Sequence, residues 1–145
     1  MTFRVGPPPE VNRRYTLRRG AYAVLMRDRE VLLTHQETPH PEFQLPGGGI
    51  DPGESPLAAL HREAFEETGW RIAAPRRLGA FRRFTYMPDY DLWAEKLCIV
   101  YAARPVLPLG PPTEPGHLAV WMPPALALEA LGNDGDRTFL ARCLR

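Results

Sequence analysis

Three glycines, an Asp-Pro-Gly turn and a helix bearing three glutamates follow one another between Gly47 and Trp70, and this stretch restricts the fold more than any other. Gly47-Gly48-Gly49 and Asp51-Pro52-Gly53 interrupt regular structure. Ser55 suits a helix N-cap, Pro56 the first helical position and Gly69 the stop, so the spacing predicts a helix over 56–68. On a wheel of about 100° per residue, Glu63, Glu66 and Glu67 share a wedge roughly 100° wide. Leu57, Ala58, Leu60, Ala64, Phe65 and Thr68 form the face expected to be buried, and His61 falls on that side as packing. Arg62 precedes Glu66 by four residues, where an ion pair can form.

Three glutamates on one helix face repel one another, and helix stability alone does not select them. A cation held among them does. Carboxylates are hard oxygen ligands, so the cofactor expected here is Mg²⁺ or Mn²⁺, completed by water and substrate phosphates. The alternative is a solvated acidic surface.

The remainder of the chain narrows the class. Its 145 residues suit one domain, 1–145, and a net charge of +1 makes no general case for nucleic acid or a membrane surface. Cys98 and Cys143 are too few and too far apart for a zinc site or a disulfide framework, and fit a reducing compartment. Of the 18 basic residues only Lys96 is lysine, a skew read as genome composition. Apolar runs such as Ala21–Met26 and Leu97–Ala103 fall far short of the roughly 18 residues that span a bilayer. The expectation is a cytoplasmic protein.

Charge is distributed unevenly. Residues 47–70 carry five acids against Arg62, net −4, between flanking blocks 1–30 and 71–104 that are each net +4. Strands are predicted at 21–26, 31–34, 77–86, 93–103 and 118–121, and short helices at 125–131 and 137–144. Residues 35–46 read as a loop.

The segment Gly48, five residues, Glu54, seven residues, Arg62-Glu63-Ala64-Phe65-Glu66-Glu67-Thr68-Gly69-Trp70 resembles the Nudix box. All its named polar and glycine positions match. Ala64 and Trp70 depart from the bulky aliphatic residues usual at two packing positions. The resemblance implies an α/β (α+β) fold, a mixed β-sheet between α-helices, with this loop–helix–loop as the catalytic unit. It implies that Glu63 and Glu67 bind a divalent metal, that Glu66 is a further ligand or orients water, and that the Gly47 carbonyl adds a bond. Arg62 and Glu54 match a pair that orients the helix carboxylates. The implied activity is hydrolysis of the diphosphate in a nucleoside diphosphate derivative: an NDP-sugar or ADP-ribose-like molecule, a nucleoside triphosphate or a dinucleoside polyphosphate. The competing reading is a nucleotide-sensing domain without turnover, but such domains usually lose box carboxylates.

Outside the box, Glu114 lies seven residues before Trp121, where family members often carry a further catalytic glutamate; Glu95 is its rival. Tyr86, Tyr90 and Trp93 are the candidates for stacking on a base, against a core role. Arg82 and Arg83 are candidates for a phosphate or ribose. His35, His40, His61 and His117 make no ligand pattern, although His117 neighbours Glu114. The expected partner is a nucleotide-type small molecule, with no nucleic acid and no membrane, and a homodimer is allowed. Loops outside the box read the base and leaving group, so the sequence does not name the substrate.

Overall fold

Period-two burial along one strand organises the molecule. The computed structural model describes residues 2–38 and 41–145; His40 lies outside them. After β1 (Thr2–Val5), strand β2 (Thr16–Arg27) sends Ala21, Ala23 and Leu25 to one side of the sheet and Tyr22, Val24 and Met26 to the other. A strand apolar on both faces needs cover on both. On the first side α1 (Pro56–Thr68) supplies Ala59, Leu60 and Ala64. On the second, α2 (Pro124–Ala130) and α3 (Asp134–Cys143) supply Ala127, Phe139 and Leu140.

The other strands are β3 (Glu30–Gln36), β4 (Glu42–Gln44), β5 (Gly47–Gly49), β6 (Trp70–Met87), β7 (Leu92–Pro108) and β8 (His117–Met122). Their order is β1-β6-β7-β2-β3-β4, with β5 added to β2 and β8 to β3. The β1–β6 and β2–β7 pairings are parallel and the other ladders antiparallel. This is the mixed sheet between helices expected from the sequence. No helix among the described residues is long and apolar enough to cross a membrane. Cys98 and Cys143 are free thiols.

Several expectations need correction. The triple glycine is a strand, β5, paired with Gly20–Tyr22. The loop assigned to 35–46 holds the end of β3 and all of β4. Strand β1 is a strand that the pattern reading does not include, although Thr2-Phe3-Arg4-Val5 alternates polar and apolar residues. Strands β6 and β7 run 18 and 17 residues, because three register shifts, between Arg71 and Gly79, absorb the irregularity around Pro75. Helix α3 starts at Asp134, three residues early, because the Asn133 side chain accepts the Asp136 N–H at 2.8 Å.

Candidate active site

Local chemistry fixes α1. Ser55 Oγ accepts the Ala58 N–H at 3.1 Å, and Gly69 ends the helix in the left-handed conformation at φ 75°. Ala64 is fully buried, and Trp70 packs edge-on against Trp121 at 5.4 Å, so both unusual box positions serve packing.

The buried face differs from the wheel reading. Buried residues are Ala59, Leu60, Ala64, Glu67 and Thr68, whereas Leu57 and Phe65 are 45% and 38% exposed. Ala58 and His61 are also exposed, so His61 is not a packing residue. The buried stripe is turned toward the carboxylates by roughly a quarter of a helical turn. Glu67, 6% exposed, lies inside it.

Strand β5 is the wall against which this face rests. Glu67 Oε1 accepts the Gly47 N–H at 3.1 Å. A Cβ on Gly48 would stand 2.4 Å from a Glu63 carboxylate oxygen, so only glycine leaves room for that carboxylate. Arg62 organises the remaining acids. Its guanidinium binds both oxygens of Glu54 at 2.8 Å, Glu63 at 2.9 Å, Glu66 at 3.4 Å and the Gly49 carbonyl at 3.0 Å. The Arg62 hydrogen bonds pull Glu54 down to about 2, and Arg62 itself is raised.

Among the described residues no arginine forms a hydrogen bond or ion pair with Glu67. Burial pushes its carboxyl up to about 8, aided by the like charges of Glu63, Glu114 and Glu66 and opposed by the Gly47 N–H. Burial also raises Glu63. His117 Nδ1 stands 3.7 Å from Glu67 Oε2 without a hydrogen bond, and its own burial favours the neutral ring. Among the described residues no three acidic, His or Cys side chains already converge as a ligand set. Arg62 accounts for this by drawing Glu63 and Glu66 to itself.

Glu114 joins the same place. The backbone N–H groups of Thr113 and Glu114 both donate to the Glu66 carbonyl, at 2.8 and 2.9 Å, and the Glu114 charge acts on Glu63, Glu67 and His117. Glu95 is elsewhere, 2.6 Å from Arg82.

A cleft of about 250 Å³ opens beside Glu67 and Gly47–Gly49, floored by Tyr22, Arg83 and Lys96 and bounded by Tyr86 at the β6–β7 tip. The sequence candidates divide here. Tyr86 borders the cleft and hydrogen-bonds Asp91. Tyr90 borders an adjoining hollow that contains Glu63, with Arg18 lying 4.5 Å over its ring. Trp93 does not line the cleft: it packs against Tyr86 at 5.3 Å and lies beneath Arg13 at 3.7 Å. Arg82 does not line it either, being held by Glu95; its neighbour Arg83 does. Lys96 and Tyr22 were not singled out, because only the β2–β7–β6 register brings them to the cleft.

A family model described as NUDIX domain matches residues 16–143. An 8-oxo-(d)GTP phosphatase of Mycolicibacterium smegmatis is 31% identical over 141 residues, covering 88% of this chain and 41% of that protein. An RNA pyrophosphohydrolase of Pectobacterium atrosepticum is 50% identical over 42 residues, 29% of this chain and 24% of that protein. The chain thus spans half or less of the length of the curated relatives it matches. Among solved structures, the MutT NUDIX hydrolase from Burkholderia pseudomallei superposes with a TM-score of 0.70 at 22% identity, over 87% of this chain and 97% of that one. The MutT protein from Methanosarcina mazei gives 0.69 at 23% identity, over 88% and 93%.

Proposed function

This chain belongs to the Nudix family, and from that premise we propose that it is a divalent-metal-dependent pyrophosphohydrolase of a nucleoside diphosphate derivative. One observation carries the reading: the most buried box carboxylate, Glu67, is the one that Arg62 does not reach. A buried carboxylate without a cationic partner takes up a proton or a cation.

The donor set fits a hard cation. Glu63, Glu66 and Glu67 sit on one face at helical spacing, with the Gly47 carbonyl adjacent in sequence to the glycine that Glu63 rests against. Mg²⁺ or Mn²⁺ held by these groups supplies positive charge against the phosphoryl oxygens and acidifies water. The protein's own groups do the rest. Arg62 and Glu54 hold the helix carboxylates in register. Glu66 or Glu67 accepts a proton from the attacking water, with Glu114 assisting from its loop. Water adds to one phosphorus of the diphosphate, the bridging P–O bond breaks, and a nucleoside monophosphate leaves with a phosphorylated remainder.

The relatives named above act, by their names, on an oxidised guanine nucleotide and on RNA, which supports a nucleotide substrate of the broad class. The nucleotide-sensing alternative is disfavoured by the complete carboxylate set.

Phosphate release from a nucleotide panel, coupled to phosphatase, tests the proposal. Turnover is expected with Mg²⁺ or Mn²⁺ and none in excess chelator. Full activity in chelator rules the mechanism out.

A further inference from the structure

Three cations stand in one row across adjacent strands. The ladders pair Arg18 of β2 with Lys96 of β7, and Lys96 with Arg83 of β6. Residues paired laterally share a sheet face, and at about 4.8 Å per strand the row spans roughly 10 Å. All three side chains are half-buried. Arg83 and Lys96 line the cleft beside Glu67. Arg18 and Lys96 line the adjoining hollow beside Glu63. Lys96, the single lysine of the chain, therefore lies between the two.

Their lack of partners separates these cations from the other half-buried ones. Arg62 is bound by Glu54, Arg82 by Glu95 and Arg137 by Asp134. Among the described residues no carboxylate forms an ion pair with Arg18, Lys96 or Arg83. Arg18 rests on the Tyr90 ring, and Lys96 and Arg83 act electrostatically on the buried Asp136, whose carboxylate accepts the Leu45 N–H. Like charges aligned and partly desolvated repel one another. An anion lying along the row relieves that cost, and its natural length is that of a phosphate chain, not of a single phosphate.

We propose that Arg18, Lys96 and Arg83 form a rail for substrate phosphates outside the bond being cut. It rests on the pyrophosphohydrolase reading and narrows it: the substrate carries a linear chain of three or more phosphates. A nucleoside diphosphate linked to an uncharged sugar leaves most of the rail without a counter-charge. A triphosphate or a dinucleoside polyphosphate fills it.

Two measurements test this, one independent of turnover. Calorimetric titration with inorganic tripolyphosphate in chelator compares the wild type with Lys96→Met, Arg83→Met, the double variant and Arg77→Met, an exposed control on β6. Each rail variant is expected to weaken binding about tenfold and the double about a hundredfold, with Arg77→Met unchanged. Lys96→Arg, which keeps the charge, is expected to retain most of the affinity and shows that loss in Lys96→Met is not misfolding. Kinetics with ATP, diadenosine tetraphosphate and ADP-ribose then identify the source of the phosphates. For the preferred polyphosphate, kcat/KM is expected to fall at least about tenfold in the rail variants, and by a smaller factor for ADP-ribose, whose two phosphates reach less of the row. Wild-type tripolyphosphate affinity in the double variant overturns the rail, as does an equal loss on ADP-ribose. Rail-dependent binding with no substrate turned over leaves the rail standing and refutes the hydrolase reading instead.

Discussion

Glu67 accepts the backbone N–H of Gly47 at 3.1 Å, tying the last turn of α1 to the first residue of β5 across 20 positions of sequence. The contact turns the acidic side of the helix inward. It also fixes one carboxylate oxygen and leaves the other facing the cleft and His117.

The first prediction concerns that carboxylate. An acid whose value is raised on folding, here from 4.5 to about 8 chiefly by burial, binds more protons when folded. Its contribution to stability is therefore complete below 4.5 and is lost as pH rises to about 8. Glu67→Gln keeps the oxygen that receives the Gly47 N–H and removes the charge. In chelator the variant is expected to melt higher than the wild type above pH 8, on the order of 5 °C, and to lose the slope between pH 4.5 and 8. Turnover with Mg²⁺ is expected to fall at least about a thousandfold. Melting curves across pH and steady-state kinetics check both halves; near-wild-type turnover removes Glu67 from the mechanism.

Arg62 behaves in the opposite way. It is hydrogen-bonded to Glu54, Glu63, Glu66 and the Gly49 carbonyl together, so Arg62→Ala leaves three carboxylates facing one another. Activity and melting temperature are expected to fall together, with activity down about a hundredfold. Arg62→Lys should restore little, because an ammonium cannot span both Glu54 oxygens. Lost activity with unchanged melting and unchanged metal affinity points instead to direct substrate contact.

The two acids outside the box separate cleanly. Glu114 is docked on the Glu66 carbonyl and acts electrically on Glu63 and Glu67, whereas Glu95 is occupied by Arg82. Glu114→Gln is expected to lower kcat about tenfold to a hundredfold at saturating Mg²⁺, and Glu95→Gln to leave it within about threefold. A larger loss at Glu95 reverses the assignment.

The box was legible because its chemistry depends on residue type at fixed spacing along one helix. Ser55, Pro56 and Gly69 marked the helix ends by capping rules that act locally. Apolarity proved a poor guide to the buried face. Leu57 and Phe65 are partly exposed and Glu67 is buried, since the face rests on the glycines of β5, where Glu67 accepts the Gly47 N–H. The cleft floor was hidden for a different reason. Lys96, Arg83 and Tyr22 meet through lateral strand register, and the bulges around Pro75 shift that register in a way local pattern does not encode. Arg82 and Arg83 point to opposite sides of β6, so their adjacent positions alone could not say which one reached the cleft.

Gly48 gives the most selective test of how the loop and helix fit. Its neighbour Gly47 has φ 149°, and a Cβ there would lie 2.2 Å from the Ala21 carbonyl oxygen, so Gly47→Ala strikes backbone and should unfold the region. At Gly48 the obstacle is a different kind of atom: the Cβ would meet the Glu63 carboxylate, the free end of a flexible side chain. Glu63 can swing away at the cost of its rotamer and its hydrogen bond to Arg62, together about 1–2 kcal/mol. Gly48→Ala is therefore expected to fold, with a melting temperature a few degrees lower. Glu63 is displaced from the carboxylate row, so Mg²⁺ or Mn²⁺ affinity should weaken at least about tenfold, with part of the lost kcat recovered at high metal concentration. Metal titrations followed by calorimetry and by activity measure this. Unchanged metal affinity in a folded Gly48→Ala protein would show that Glu63 is no ligand and that the carboxylate row begins at Glu66.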